Sequence, residues 1–458
     1  MMRPLLTSLA LVPALALAAP PPYYSTKLAN GLEVLVAENH LQPLVHVEIA
    51  FHNGSMTEPR EYNGVSHLYE HMFFKQNAAT PNQEAFMDRV HSNGMVFNGT
   101  TDTERVNYFF TTTTPHFEAA LTLLRDAAVT PLFDQKELER ERVVVTGEMD
   151  IDQSDPGYWL EHLVSVKAWS RYPTYKDPLG DRQTVLSATT DMMKTIQQRY
   201  YVPNNAVLVV SGDVTPEQVN PLAQKLFGDW KAGPDPFVEH PLVQHPAIAE
   251  TSVVLVEKKL SKKEPVDLVA VWHGPSTMSA EVPQTYAADM VGYAIGSGPT
   301  KWEKALVESG YCYGASFGWQ MQRNVGPVQL SLRARPEAID LCLEAALDEL
   351  HKLAKPDYFT DKDLANAMKN VETGAVLVRE SPDEYANYLT SMWASAGLDY
   401  EASYVAEMKK VDRARMADFM KTYVLGKPFV FGVLVSPELK AEKSHFEKLV
   451  AGFVAEGK

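Results

Sequence analysis

The sequence predicts an α+β protein made of two homologous domains, each a mostly antiparallel sheet flanked by helices. Three observations lead to this fold class. The chain has 458 residues, and single hydrophobic cores rarely grow beyond about 250–300 residues. Segments with strand-like alternation and segments with the helical spacing of apolar residues are interspersed in both halves. The pattern of the first half also returns in the second, which favours a tandem duplication.

The internal repeat rests on two pairs of segments. Residues 45–55 alternate apolar and polar side chains as a half-buried strand does, and residues 266–276 repeat this pattern. Residues 207–217 and 430–438 each contain a strand pattern, a turn and a helix start with proline and glutamate. Both pairs match at one offset, 221 positions. Strand–turn elements are common in α+β proteins, but two unrelated pairs would not be expected to share an offset.

The first 18 residues have the composition of a signal peptide. Arg3 supplies a positive start, residues 5–17 are apolar but short for a membrane span, and residues 16–18 offer small side chains to an export peptidase. The alternative is an N-terminal anchor. No later segment has 18 uninterrupted apolar residues. We therefore expect an exported protein of the bacterial periplasm, with no membrane span after cleavage.

The rest of the chain divides at residues 232–250, which are rich in proline and lack periodicity. We predict a first domain over 19–231, a linker over 232–250 and a second domain over 251–458. The net charge of −16 argues against a nucleic-acid partner, because phosphate binding requires a basic surface. Cys312 and Cys342 could pair in an oxidising compartment or remain buried thiols, and the sequence leaves both open.

Residues 64–74 contain the pattern His-x-x-Glu-His. On a helix, His67 and His71 are four residues apart and project from one face, so both rings can meet one metal ion. Glu70 lies at the edge of that face, close enough to act on a water at the metal. This order is the reverse of His-Glu-x-x-His and occurs among zinc proteases. Taken alone, the pattern could also be a histidine pair beside a solvated glutamate.

A catalytic zinc site needs a third protein ligand and one open position. The segment 137–148 contains candidates, because Glu141 and Glu148 lie two helical turns apart and share a face. The valines at 143–145 predict that this helix is pressed into a core. That packing would carry Glu148 inward, where a carboxylate needs a partner such as a metal ion.

These motifs resemble the pitrilysin/insulinase family of zinc peptidases, which includes the mitochondrial processing peptidase. The resemblance covers essentially the whole chain after the leader and is to the two-domain subgroup. Matching segments are 30–34, 54–58, 64–75, 98–108 and 142–148, with Pro173, Pro178 and Gly180. The separation of 77 positions between His71 and Glu148 also matches the family's spacing to its third ligand.

The resemblance implies a zinc-dependent endopeptidase acting on peptides or unfolded segments. One zinc ion per chain would be held by His67, His71 and Glu148. Glu70 would be the general base, taking a proton from the attacking water and passing it to the leaving amine. Glu141 would orient the ligands.

The resemblance also implies how a peptide is bound. Asn98 lies in the segment that resembles an edge strand along which an extended peptide adds, backbone to backbone. Active relatives further grip the scissile carbonyl with an arginine and a tyrosine seven residues apart. Tyr313 fits the tyrosine, but Leu306 or Val307 stands where the arginine belongs. Without that arginine, Tyr313 could instead be an ordinary core tyrosine.

The second half departs further, because residues 286–290 replace the metal motif there. The departures predict a partner subunit of the same fold that supplies the arginine–tyrosine pair, in a homodimer or a heterodimer. Two alternatives remain. The chain could be a non-catalytic assembly subunit, although such relatives usually lose a ligand or the base. The zinc could be purely structural, although structural sites normally have four protein ligands.

Overall fold

The computed structural model describes residues 22–243, 245–260 and 264–457. It confirms the predicted fold class, because it contains two sheets of mostly antiparallel strands, each covered by helices. The predicted signal peptide, residues 1–18, lies outside the described residues. The domain boundaries at 231 and 251 stay predictions. No helix in the described part of the chain is both long and apolar enough to cross a membrane.

The first sheet is built from six strands, in the order β1-β2-β6-β3-β5-β4. Their bounds are β1 Tyr24–Lys27, β2 Glu33–Glu38, β3 Leu44–Phe51, β4 Val96–Thr101, β5 Val106–Thr113 and β6 Ala206–Gly212. Neighbouring strands are antiparallel except for β2 and β6. Strand β4 is an edge strand, so one side of its backbone is not paired within the sheet.

The second sheet has the order β7-β11-β8-β10-β9. Its strands are β7 Ser252–Glu257, β8 Val266–His273, β9 Cys312–Trp319, β10 Pro327–Ala334 and β11 Val430–Val435. The order reproduces β2-β6-β3-β5-β4 of the first sheet, and the one parallel pair, β7 and β11, is the counterpart of β2 and β6. The duplicated pattern in the sequence is therefore a duplicated sheet.

The helices follow the strands in the same order in both halves, except that the short α9 of the first half has no counterpart in the described part of the second. In the first they are α1 Val65–Phe73, α2 Gln83–Ser92, α3 Phe117–Val129, α4 Gln135–Ser154, α5 Pro156–Ala168, α6 Arg182–Ser187, α7 Thr190–Tyr200, α8 Pro216–Phe227 and α9 Pro236–Glu239. In the second they are α10 Val282–Gly296, α11 Lys301–Glu303, α12 Ile339–Leu353, α13 Asp361–Leu377, α14 Pro382–Ser395, α15 Leu398–Met408, α16 Arg413–Tyr423 and α17 Lys443–Glu456.

The two halves exchange one helix each. Helix α5 of the first half packs its apolar face, which includes Leu160 and Val164, on the second sheet. At Gly432 of β11 the approach is so close that a Cβ would lie 2.5 Å from Val164 Cγ2. Helix α14 of the second half covers the first sheet in the same way. Each sheet is thus buried on both faces, which explains why all seven residues of β6 are buried.

A histidine–tryptophan stack accompanies each exchanged helix. His52, directly after β3, stacks on Trp393 of α14 with ring centroids 3.6 Å apart. His273, at the end of β8, stacks on Trp169, directly after α5, at 4.4 Å. The two histidines are the pair that the 221-position offset relates. The duplication has therefore produced two equivalent contacts between the halves.

The two cysteines lie in the core of the second half and form a disulfide between β9 and α12. The alternative of two buried free thiols is therefore wrong for this structure. The bond joins positions 30 residues apart in the sequence. It ties the edge strand of the second sheet to the helix that covers it.

Candidate metal centre

Helix α1 is held in place by its apolar face and by a buried cap. Most of its residues are buried in the first core. The Glu58 carboxylate accepts hydrogen bonds from the backbone N–H of Gly64, at 2.9 Å, and of Ser66, at 2.6 Å. These N–H groups have no partner within the helix, so Glu58 serves as its N-terminal cap. Burial raises the pKa of Glu58 to about 7, against the effect of these bonds.

The loop before α1 makes a tight contact with Gly180, which lies between α5 and α6. Gly64 has a φ of 92°, and a Cβ there would lie 2.9 Å from the Cα of Gly180. Both features favour glycine, because residues with a side chain rarely adopt this backbone conformation and a Cβ would not fit here. This contact places the N-terminal turn of α1, and with it His67, against residues that follow α5.

The structure brings all three predicted metal ligands together. Glu148 Oε2, on α4, lies 3.5 Å from His67 Nε2 and 3.6 Å from His71 Nε2. One ligand atom from each residue lies within 4.8 Å of the other two. Two imidazole nitrogens and a carboxylate oxygen are ligands that zinc accepts, and three protein ligands are typical of catalytic sites. The donor set therefore fits a zinc ion.

The expectation about the packing of α4 is wrong in part. Val145 is fully buried, but Val143 is 68% exposed and Val144 is 46% exposed. Three consecutive residues point about 100° apart around a helix, so they cannot share one buried face. The Glu148 side chain is accordingly 41% exposed rather than interior. Glu148, the predicted third ligand, therefore lies at the margin of the core, where solvent reaches its carboxylate.

Glu141 lies beside the ligands, two turns before Glu148. Its Oε2 is 3.1 Å from His71 Nδ1, and its Oε1 accepts a 2.8 Å ion pair from Lys75 Nζ. Burial acts to raise the pKa of Glu141, but the bonds from His71 and Lys75 outweigh it and hold the pKa below its usual range. A negative charge at Nδ1 fixes the ring so that Nε2 points to Glu148.

The other ligand histidine has a different environment. His67 Nδ1 is buried and has no hydrogen-bond partner among the described residues. Burial, followed by the nearby His71, lowers the pKa of His67 to about 4. An imidazole must be neutral to bind a metal ion, and this pKa keeps His67 neutral at pH 7.

Glu70 occupies the edge of the histidine face, as the helix pattern predicts. It is half-buried, and burial raises its pKa. The Thr101 hydroxyl of β4 donates a hydrogen bond of 2.9 Å to Glu70 Oε2. Strand β4 therefore touches the candidate base directly, a contact that the sequence motif alone did not indicate.

The structure places the two candidate substrate-binding residues on different sheets. Asn98 is exposed on edge strand β4, and its Oδ1 accepts a hydrogen bond from the N–H of Gly99 at 3.0 Å. Tyr313 lies on edge strand β9 and is 60% exposed, so its interpretation as a core tyrosine is wrong. Its ring faces the Arg335 guanidinium at 6.0 Å, whereas Leu306 is fully buried.

Sequence reasoning assigned no role to Glu58, Lys75 or Thr101. Each of them stands in a segment that resembles the family. Their roles depend on contacts with α1 or α4, and spacing along the chain does not reveal such contacts. For Thr101 a partial signal exists, because residues two apart on a strand share a face. Asn98 and its neighbours were expected on a substrate-binding edge strand, but only the structure shows that Gly99 and Thr101 face Glu70 of α1.

Two family models match the chain. Insulinase (Peptidase family M16) matches residues 33–180, and the Peptidase M16 inactive domain matches residues 187–371. Together they cover more than half of the sequence. The first match contains Glu70 and all three residues of the candidate metal site, and the second contains Tyr313.

The chain is similar to several known proteins along most of its length. It is 26% identical over 433 residues to the zinc protease PqqE of Helicobacter pylori, covering 89% of this chain and 93% of that protein. It is 23% identical over 422 residues to a probable mitochondrial-processing peptidase subunit beta of Arabidopsis thaliana, covering 89% and 77%.

Solved structures share the fold. A protease from Helicobacter pylori superposes with a TM-score of 0.81 at 20% identity, covering 91% of this chain and 100% of that one. The periplasmic protease PqqL of Escherichia coli superposes with a TM-score of 0.76 at 15% identity, and the chain spans 51% of its length. The two family models, which together cover more than half of the sequence, show that the chain belongs to peptidase family M16, the insulinase family.

Proposed function

We propose that this chain is a zinc-dependent endopeptidase that hydrolyses peptides or unfolded segments. The observation that carries the proposal is the convergence of His67, His71 and Glu148 within 4.8 Å, with Glu70 on the same helix as the two histidines. The zinc-protease names of the relatives support the same chemistry. A purely structural ion is disfavoured, because such sites are normally closed by four protein ligands.

The roles of the residues follow from their positions. His67, His71 and Glu148 would hold the zinc ion, which when bound lowers the pKa of water and polarises a carbonyl. Glu70 accepts a proton from the attacking water and delivers it to the leaving amine nitrogen. A carboxyl with a raised pKa is suited to both steps, because it can hold the proton between them. Glu141 fixes the His71 ring through Nδ1.

The substrate would bind as an extended strand. Strand β4 leaves one side of its backbone unpaired, and Gly99 of this strand lies against Glu70. A peptide that added to this edge would run past the metal ligands with its backbone hydrogen-bonded to β4. Asn98, exposed on the same strand, would contact it. Such binding requires an unfolded segment, because a folded strand has its own partners.

The complete enzyme would contain a second subunit of the same fold. No second group of three metal-ligating side chains is found in the described residues, and Tyr313 lacks an arginine seven residues before it. The PqqL chain is about twice as long as the part that this chain matches, and one relative is named a subunit. A homodimer or a heterodimer would supply the missing arginine–tyrosine pair.

Export to the periplasm is part of the proposal. Disulfides persist in oxidising compartments such as the bacterial periplasm, and Cys312 is bonded to Cys342. The name of PqqL, a periplasmic protease, supports the same location. The composition of residues 1–18 supports a signal peptide.

Metal analysis combined with Glu70→Gln tests the proposal. We expect about one zinc ion per chain in both proteins, and peptidase activity at least about a hundredfold lower in the variant. Glu84→Gln, an exposed glutamate at the start of α2, is the matched control and should remain active. Full activity of Glu70→Gln would disprove the role of the base. Zinc binding without any activity, alone or with same-fold partners, would indicate a non-catalytic subunit.

The partner requirement is tested separately. The chain is purified alone and with same-fold proteins from its native host, and its size and activity are measured. Activity should rise with dimer formation. Full peptidase activity from the lone monomer would disprove the need for a partner but would leave the metal site assignment intact.

A further inference from the structure

Edge strand β4 forms one wall of the space around the Glu70 carboxylate. The Thr101 hydroxyl donates to Glu70 Oε2 at 2.9 Å. Two residues earlier, a Cβ on Gly99 would lie 2.9 Å from Glu70 Cγ and 3.1 Å from Oε1. Alternate residues of a strand face the same side, so Gly99 and Thr101 meet the glutamate together.

We propose that Thr101 is a positioning residue for the peptidase reaction, and this inference rests on the proposed function. Its hydroxyl holds Oε2 of Glu70, so that Oε1 is the oxygen that receives the proton. In that step an O–H bond of water breaks and an O–H bond on Oε1 forms, while the water oxygen adds to the peptide carbonyl carbon. The same proton later moves from Oε1 to the leaving nitrogen, so that an N–H bond forms as the peptide C–N bond breaks.

The position of the Thr101 hydroxyl is set by the pairing of β4 in the sheet, because threonine has a short side chain. Thr101 pairs with Val106 of β5, and Gly99 pairs with Tyr108, whose side chain is fully buried. Glutamate, in contrast, has three rotatable side-chain bonds, and holding it in one geometry costs conformational entropy. A hydrogen bond to a charged group is among the stronger ones in proteins. Thr101 can therefore select one geometry of the base before substrate arrives.

The same strand would carry the substrate on its outer edge. The backbone that pairs with the peptide and the hydroxyl that contacts Glu70 would then both belong to β4, a strand of six residues. The distance between the scissile bond and the base would be fixed by the strand. Loss of the hydroxyl should consequently impair turnover much more than peptide binding.

Three variants test the inference by steady-state kinetics on an unstructured peptide. Thr101→Val removes the hydroxyl and keeps the shape, so we expect kcat to fall about tenfold or more with KM within about twofold of the wild type. Thr101→Ser keeps the hydroxyl and should restore most of kcat. Thr113→Val, at an exposed threonine of β5, is the matched control and should behave as the wild type.

A second measurement does not depend on activity. In metal-free protein with ¹³C-labelled glutamate carboxyl groups, the Glu70 resonance is identified by its loss in Glu70→Gln. The chemical shift of this resonance should change in Thr101→Val and remain that of the wild type in Thr113→Val. Zinc content and the thermal unfolding midpoint should be unchanged in both, which separates positioning from a structural effect.

Three results would overturn the inference. Wild-type kcat in Thr101→Val would show that the hydroxyl does not position the base. Equal damage in Thr101→Ser and Thr101→Val would assign the effect to packing. A Glu70 resonance that shifts as expected in a protein without peptidase activity would refute the proposed function and the positioning role, while confirming the contact itself.

Discussion

Helices α1 and α10 occupy equivalent places in the two halves, yet of the two only α1 carries residues of the candidate metal site. The polar face of α1 meets α4 and leaves room for an ion between two histidines and Glu148. The corresponding face of α10 is filled by α15. There Tyr400 stacks on Tyr286, with ring centroids 4.8 Å apart, and Tyr404 donates a 2.7 Å hydrogen bond to Asp289.

The two halves differ in how much of this helix face is covered. In the second half, α15 covers the helix and its polar groups pair with one another, and burial raises the pKa of Asp289 to about 7. In the first half the chain has the six-residue α6 between α5 and α7, where the second half has the eleven-residue α15. The face of α1 therefore stays accessible. Catalysis requires such an open face, and the second half uses the same position for packing.

The largest expected effect comes from breaking the metal site in one half only. His71→Ala should lose zinc and reduce peptidase activity about a thousandfold or more, because the ion supplies several kcal/mol of charge stabilisation. Asp289→Asn is the matched change in α10, where asparagine can still accept the bond from Tyr404, and should leave zinc content and activity within about twofold. Metal analysis and peptide cleavage measure both. Comparable losses in the two variants would contradict the division into a catalytic and a structural half.

The next effect concerns the two stacked contacts, which the duplication should make equal. Trp393→Ala and Trp169→Ala each remove a large side chain that packs on a histidine and on the opposite sheet. Each should lower the free energy of unfolding by about 3–5 kcal/mol, measured by urea denaturation. Leu41→Ala, at a residue that is 79% exposed, is the control. A loss in only one of the two tryptophan variants would show that the halves are held together asymmetrically.

The smallest expected effect is the decrease in the free energy of unfolding at low pH that comes from the two stacked histidines. Burial, followed by the charge of Arg323, lowers the pKa of His52 to about 3, and burial lowers that of His273 to about 4. His52 Nε2 accepts a 2.8 Å bond from the Arg323 guanidinium, and His273 Nε2 donates to the carbonyl of Ala168 at 2.8 Å. A proton on His52 would face a cation, and a second proton on His273 would be buried.

The sign of the effect follows from these pKa values. In the unfolded chain His52 and His273 bind protons near pH 6.5, whereas in the folded chain they do so only near pH 3 to 4. Their contribution to the free energy of unfolding is therefore complete above pH 6.5 and falls as the pH drops below that value. We expect a loss of about 1–2 kcal/mol per histidine between pH 7.5 and pH 5. Urea denaturation at both values measures it. His52→Asn should reduce the pH dependence, and a protein that is as stable at pH 5 as at pH 7.5 would contradict the prediction.

The part of the site whose geometry follows from the sequence alone lies within one helix. His67, Glu70 and His71 share a helix, so their spacing determines their relative directions. Glu148 belongs to a different helix, and its contact with the histidines was expected from the family's spacing and from a burial argument that is only partly right. Val145 is buried as expected, whereas Val143 and Val144 face solvent.

Other features depend on contacts between distant segments and were not predicted. An amphipathic pattern shows that α5 and α14 bury one face, but it does not show which sheet each of them covers. The hydrogen bond from Thr101 to Glu70 likewise joins a strand to a helix. The cysteine pair was left open, because two cysteines 30 positions apart need a suitable distance in the fold, which spacing does not provide.

The exchange of α5 and α14 has a consequence for how this chain can change during evolution. Deleting the second half would remove the helix that covers Leu35, Ala50 and Val209 of the first sheet and would leave α5 without its binding surface. Such a fragment would expose apolar residues and tend to aggregate. Loss of the half without the metal motif is thus expected to make the first half insoluble, even if the lost half contributes no chemical step.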